Sequence, residues 1–376
     1  MLGPWELKTL ITIIFFGLFA GSILVYLADS KINAVEWQAP VSAGYIGSFQ
    51  SANNILPVGL LELAGHSGPE DITTDVNGVL YVSTAQGYIL KFDEEAQTFN
   101  EWAFTGGFPL GIRFDKNNNL IVADAALGLL MISPNRKIAI LVNQFDGEQL
   151  GFVDALDIAD NGVIYFSDAS NKFSPRDFGG PKLASELDIF EHGKNGAIYA
   201  YDPSSHSTKL LIDDLHFANG VALTPDQQSL LVVETAKYRV LKYSLNGERK
   251  GSLIPLIDNL PGFPDNIVRH PKFGYWLGLT APRSSALDKL SQWPKLRSFI
   301  YKLPSFMRPV AQSYGHVVHI DETGQVITSL QDPSGSYGMT TGALQVADTL
   351  YITSLNANAL AVRDMPPQIY AQPNGE

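Results

Sequence analysis

The sequence predicts an all-β protein, a six-bladed β-propeller with an N-terminal transmembrane helix. Short apolar runs recur six times: "LYVSTA" from 80, "LIVADA" from 120, "IYFSDA" from 164, "LLVVETA" from 230, "YWLGLTA" from 275 and "LYITSL" from 350. Polar turns such as "DVNG", "DKNNN", "ADNG" and "TPDQQ" precede them, each with a further short apolar stretch before it. Strand, Asn/Asp/Gly turn, strand is a hairpin signature. The spacing is about 40 residues or a little more once insertions are set aside, which suits four-stranded blades repeated around a channel.

In chain order, residues 1–9 read as a short tail. Residues 10–28, "LITIIFFGLFAGSILVYLA", carry no charge, and that length spans a bilayer core as a helix. A cleaved signal peptide is the competing reading, but its apolar region is usually shorter and Tyr26 stands where a small residue is wanted before the cut. The flanking charges, Lys8 before and Asp29 and Lys31 after, place the N-terminus in the cytoplasm and the body on the periplasmic, extracytoplasmic or lumenal side. Residues 29–56 read as a tether, as a partial strand that closes the ring, or as both. Residues 57–376 form the propeller, interrupted by excursions at 169–195 and 281–315.

The second excursion holds six Lys or Arg and one Asp, in a chain of net charge −12. Leu287, Leu290, Trp293, Leu296 and Ile300 recur at helical spacing, broken by Pro294. A helical flap packed on the propeller is the plain expectation. A surface on anionic lipid, using residues 281–310, is the sharper one.

Composition excludes several classes. Charged residues make up 17% of the chain and are net acidic, unlike a nucleic-acid surface; the balance is compatible with binding a cation. The absence of cysteine removes disulfides, a Cys nucleophile and thiolate metal sites. No G-x-S-x-G, H-E-x-x-H, phosphate loop or G-x-G-x-x-G stands at a useful place. The seven His residues show no ligand spacing, although His66 and His216 lie close in sequence to the positions considered next.

The repeat acts as a ruler. Ten residues before each run, or eleven in the fourth, stand Glu70, Leu110, Asp154, Asn219, Asp265 and Thr340, with Asn266 next to Asp265. If this strand is the innermost of its blade, these positions ring the channel mouth. Carboxylates so close repel unless a cation lies among them. Oxygen-only ligands of mixed carboxylate and amide type suit Ca²⁺, so Glu70, Asp154, Asn219, Asp265 and Asn266 are the expected metal ligands, with Asp157 the alternative to Asp154. Local turn capping is the competing account. A second set, Thr84, Asp124, Asp168, Glu234, Leu279 and Ser354, reads as turn or tunnel-lining groups rather than catalysts.

The motifs "GPEDI", "GGFPLGIRFD", "IYFSDAS", "FANGVALTPD", "VVETAKYRVLKY" and "LPGFPDNIVRHP" resemble those of strictosidine synthase-like proteins, which belong with the gluconolactonase/SMP-30 and paraoxonase propellers. The resemblance covers about residues 60–360 and extends to the membrane-anchored branch through "LDKL…WPKLR…KLP". It implies a Ca²⁺ ion at the tunnel centre, hydrolysis of a small-molecule ester or lactone, and Asp265 as the base towards water. Two departures stand out. Leu110 and Asp124 occupy the positions of a paraoxonase histidine pair, and residues 332–352 lack the glutamate that a true synthase carries there. A calcium-dependent esterase or lactonase is therefore the first expectation. A synthase-type condensing enzyme and a non-catalytic, calcium-plugged binding propeller are the alternatives.

Overall fold

Each apolar run is the second strand of a four-stranded antiparallel sheet in the computed structural model, which describes residues 29–55, 58–365 and a few positions between 3 and 13. The first sheet runs Pro69–Thr74, Leu80–Thr84, Tyr88–Asp93, Thr98–Phe104, and the second Pro109–Phe114, Leu120–Asp124, Gly128–Ile132, Ile138–Val142. The third is Val153–Ile158, Ile164–Asp168, Gly196–Asp202, Ser207–Leu215, and the fourth Ala218–Leu223, Ser229–Glu234, Arg239–Ser244, Leu253–Ile257. The fifth is Gly262–Arg269, Tyr275–Pro282, Gly315–Ile320, Val326–Asp332.

The sixth sheet takes Thr340–Val346, Thr349–Ser354 and Ala359–Asp364 from the end of the chain and Gly59–Glu62 from its beginning. Gly59 pairs with Val362 and Glu62 with Ala359. The strand that closes the ring thus follows the 29–56 segment instead of lying in it. Within that segment, the Asn54 and Ile55 amides both donate to the Gln331 carbonyl, on the outer strand of sheet five. Joining both ends of the chain in one sheet removes the open edge that a row of blades would leave.

The first strand of every sheet touches the first strands of the sheets before and after it, so six inner strands form a closed ring. Their turns behave as the composition demands: Asp75 Oδ1 accepts from the Asn77 and Val79 amides, and Asp115 Oδ1 from those of Asn117 and Asn119. Sheets pack face to face through separate apolar clusters. Ile121 and Leu129 meet Leu156 and Phe166 between sheets two and three, and Trp276 and Val317 meet Leu350 and Ile352 between five and six.

Residues 10–28 lie almost wholly outside the described residues. Among those described, no helix is long and apolar enough to cross a membrane. The first excursion carries helices Pro175–Phe178 and Pro181–Glu191; the second carries Ser285–Leu290 and Pro294–Lys302. Pro294 opens the last helix at its first turn, where its missing N–H costs nothing.

Residues 29–39, 190–193 and 284–310 make a compact unit of their own. Its centre is Arg297, 1% exposed, which donates to the main-chain carbonyls of Val35, Glu191 and Ser291. Of the leucine and tryptophan stripe, Leu287, Leu290 and Ile300 are half-buried, whereas Trp293 is 63% and Leu296 45% exposed.

Small residues allow the inner strands to approach. A Cβ on Gly220 would stand 2.6 Å from the Asp265 carbonyl oxygen and 2.6 Å from the Ile267 nitrogen. Both are backbone atoms that cannot swing aside. Gly220→Val should therefore cost about 2 kcal/mol or more by overpacking, a fall of about 3 °C or more in melting temperature for a domain of this size, measurable by circular dichroism.

Candidate functional site

The inner strands share one irregularity. Pairing with the second strand slips between Pro69 and Ile72, Pro109 and Ile112, Val153 and Leu156, Ala218 and Val221, Pro264 and Ile267, and Thr340 and Ala343. A bulge re-aims side chains and commonly sits beside a functional site. The residues inside the six bulges are Glu70–Asp71, Leu110–Gly111, Asp154–Ala155, Asn219–Gly220, Asp265–Asn266 and Thr341–Gly342. Five of the six ruler positions match. In the sixth sheet the ruler is one residue short, because the strand register puts Thr341 where Thr340 was expected.

Side chains of the second strands satisfy the amides the slip frees. Ser83 Oγ accepts from the Asp71 amide and Ser167 Oγ from the Ala155 amide. Thr341 Oγ1 lies 2.6 Å from the Glu70 carbonyl oxygen and 2.7 Å from Thr353 Oγ1.

The five predicted ligands come together. Asn266 Nδ2 donates to Glu70 Oε1 at 2.7 Å, and Asn219 hydrogen-bonds Asp265. All five are at most 6% exposed. Burial, then Asp265, Asp71 and Asp154, hold the Glu70 carboxyl well above the usual carboxylate range. Burial, then Asp265 and Asp168, do the same for Asp154. Asp265 is pushed up to about 7 by burial, against the Asn219 hydrogen bond.

Two buried oxygens of the group, Glu70 Oε2 and Asn219 Oδ1, have no hydrogen-bond partner among the described residues. Unsatisfied acceptors beside three crowded carboxyls are what a bound cation would relieve. Among the described residues, no three His, Cys, Asp or Glu side chains form a metal cage by themselves; two of the five members here are amides. The Asn266 amide presents its nitrogen to Glu70, and half a turn of its side chain would present the oxygen instead. The donor chemistry fits a hard cation with oxygen ligands, Ca²⁺ above all.

The alternative ligand and the nearby histidines fall elsewhere. Asp157 accepts from the Leu223 and Ile158 amides. Together with Arg113 and Arg269 it lines a separate cavity of about 180 Å³. His66 binds Glu101 at 2.9 Å. His216 Nδ1 lies 2.9 Å from Glu234 Oε1, and Arg239 clamps the second oxygen of that carboxylate at 2.6 Å.

The second set of acids caps loops, as expected. Asp124 Oδ1 accepts from the Phe108, Ala126 and Leu127 amides, and Asp168 from those of Gly151 and Phe152.

Two features escaped sequence reasoning. Asp71, beside Glu70, binds the Arg113 guanidinium at 2.6 Å and the Ile112 amide at 2.9 Å. The Arg113 guanidinium also feels the Glu70 carboxyl. Two residues before each bulge stands Gly68, Phe108, Phe152, Phe217, Phe263 or Met339, an apolar series on five blades of six. Phe152 and Phe217 meet edge to face at 5.5 Å, as do Tyr238 and Phe263 at 5.0 Å. The recurring Phe ahead of the ruler position in "FPL", "FVD", "FAN" and "FPD" was the available signal.

A closed six-bladed propeller with bulged inner strands that gather oxygen side chains at its axis is the class defined by this architecture. Matches to the strictosidine synthase family over residues 154–248 and to the strictosidine synthase-like N-terminal family over residues 47–92 agree. The chain is 31% identical to adipocyte plasma membrane-associated protein of Danio rerio, over 95% of this chain and 90% of the relative. It is 33% identical to protein strictosidine synthase-like 6 of Arabidopsis thaliana, over 82% and 80% respectively. Among solved structures, it resembles a gluconolactonase from Xanthomonas campestris (TM-score 0.59, 18% identity, 90% of this chain and 99% of that one). It also resembles regucalcin, a calcium-binding protein from Agrobacterium tumefaciens (TM-score 0.57, 14% identity, 82% and 97%); at these identities the likeness is one of fold. The protein belongs to the strictosidine synthase-like family.

The electrostatics make a pH-dependent expectation. Between an unfolded value of 3.8 and a folded value of about 7, metal-free native protein holds a proton on Asp265 that the unfolded chain has released. Its stability therefore falls as pH rises from about 4 to about 7. Ligands must be deprotonated to bind metal, so stabilisation by added Ca²⁺ should grow over the same interval. Thermal unfolding in chelator and in calcium, from pH 4.5 to 8, measures both slopes.

Proposed function

We propose that the protein is a membrane-anchored, calcium-dependent hydrolase of esters or lactones. The observation that carries this reading is the buried trio of Glu70, Asp154 and Asp265, together with the two unpartnered oxygens beside it. Glu70, Asp154, Asn219, Asp265 and the Asn266 amide are the residues that would hold the ion. When bound, Ca²⁺ supplies Lewis-acid polarisation of a substrate carbonyl. Asp265 would take a proton from the attacking water; its buried position at the axis beside Asn219 suits a positioned general base. Asn219 steadies Asp265 through its hydrogen bond, and Asn266 does the same for Glu70. The phenylalanines ahead of the bulges exclude water and favour an apolar acyl or aryl group. The gluconolactonase likeness supports lactones as one substrate class, and the regucalcin likeness supports calcium.

Membrane attachment through residues 10–28 is part of the same proposal, with the propeller on the extracytoplasmic or lumenal side. The uncharged run supports it, as does the name of the plasma membrane-associated relatives.

A second reading, a binding propeller with calcium as a structural plug, is favoured by the burial of the five ligand side chains, none of them more than 6% exposed. Synthase-type condensation has no such support, given the missing glutamate in residues 332–352.

Assay of the purified chain against aryl esters and lactones decides between them. Activity should require calcium and fall about 100-fold or more in Asp265→Asn, the scale of a lost general base. Activity indifferent to chelator and to that substitution overturns the mechanism. Absence of activity, with a large calcium-dependent rise in melting temperature, supports the plug.

A further inference from the structure

We propose that residues 284–310 form a docking surface for anionic phospholipid. Helix Pro294–Lys302 buries a charge and exposes an apolar side chain. Its buried face carries the Arg297 guanidinium and Tyr301, while Leu296 and the preceding Trp293 face outwards. A surface helix normally shows the opposite pattern. The chain that follows continues the apolar surface: Phe306 is 82%, Met307 55% and Val310 79% exposed.

Cations flank these side chains. Lys289 and Lys295 are exposed, and Lys302 and Arg308 are half-buried. The Arg308 guanidinium lies 4.3 Å from the Tyr301 ring centre, and its Nε donates to the Leu303 carbonyl at 2.8 Å. Within residues 284–310 the five Lys and Arg face a single acid, Asp288, in a chain of net charge −12. Exposed Trp, Phe, Leu and Met beside Lys and Arg is the composition of an interfacial segment that seats aromatic rings at headgroup level and binds anionic headgroups. A protein partner would not require this local reversal of charge.

The surface is also fixed where a membrane would be. Residues 29–39 directly follow the uncharged 10–28 run, and their backbone is tied to the same unit. The Val35 amide donates to the Glu191 carbonyl at 2.8 Å and the Trp37 amide to the Ser291 carbonyl at 3.2 Å. The Arg297 guanidinium donates to the Val35 carbonyl. The surface therefore stands a few residues from the end of the apolar run, whatever the axial site does.

The chain has no cysteine, so one introduced thiol can be labelled cleanly. Full-length Phe306→Cys and Val76→Cys, each carrying an environment-sensitive fluorophore, are reconstituted with vesicles of phosphatidylcholine, with or without about 30% phosphatidylserine. Val76 is 71% exposed in a hairpin turn of sheet one and serves as the reference. With phosphatidylserine, emission from position 306 should shift to the blue, rise about twofold and be quenched by spin-labelled lipid, while position 76 stays unchanged. Lys289→Glu/Lys295→Glu/Lys302→Glu should abolish the response without changing the melting temperature. Flotation of that variant with phosphatidylcholine vesicles separately reports the 10–28 segment. A label at 306 that remains in water with both lipids overturns the proposal. So does a response that appears without lipid when a protein extract is added.

Discussion

The structure depends on an electrostatic conflict at the axis of the ring. Six inner strands converge there, and three of them bring a carboxyl group to one buried place. Water cannot solvate those charges, and the Arg113 guanidinium is already paired with Asp71. The group resolves the conflict by holding protons or a cation. Those protonations tie the site to folding, and a bound cation would compete with them.

The bulges make the convergence geometrically possible. In a regular strand, neighbouring side chains alternate between faces, and a sheet seen edge-on offers the axis little beyond backbone. One slipped pair per blade re-aims adjacent side chains at once and frees amides that Ser83 and Ser167 then satisfy. The close approach also demands small residues, and Gly220 lies against backbone that cannot yield. The same device in all six blades leaves individual positions free to vary, so that Leu110 and Thr341 complete the ring without contributing charge. Positional variation on a fixed scaffold is how one architecture comes to host different reactions.

The unit of residues 29–39, 190–193 and 284–310 follows another logic. At its centre is a charge, Arg297, hydrogen-bonded to main-chain carbonyls from three stretches of sequence. Its surface sets exposed apolar side chains beside lysines. Helical spacing alone pointed to a stripe packed inwards, because periodicity reports which residues share a face and not which way that face turns.

The repeat of hairpins was legible in the sequence because strand, turn and strand are local, and so is their spacing. Counting along that repeat found Glu70, Asp154, Asn219, Asp265 and Asn266, since equivalent residues recur at equal distance from equivalent turns. It missed by one residue at Thr341, where a register set by pairing decides. The closing role of Gly59–Glu62, the Asp71–Arg113 pair and the inward turn of Arg297 were decided by tertiary structure alone. Each joins residues distant in sequence or depends on what surrounds a side chain, and neither property leaves a periodic trace in the chain.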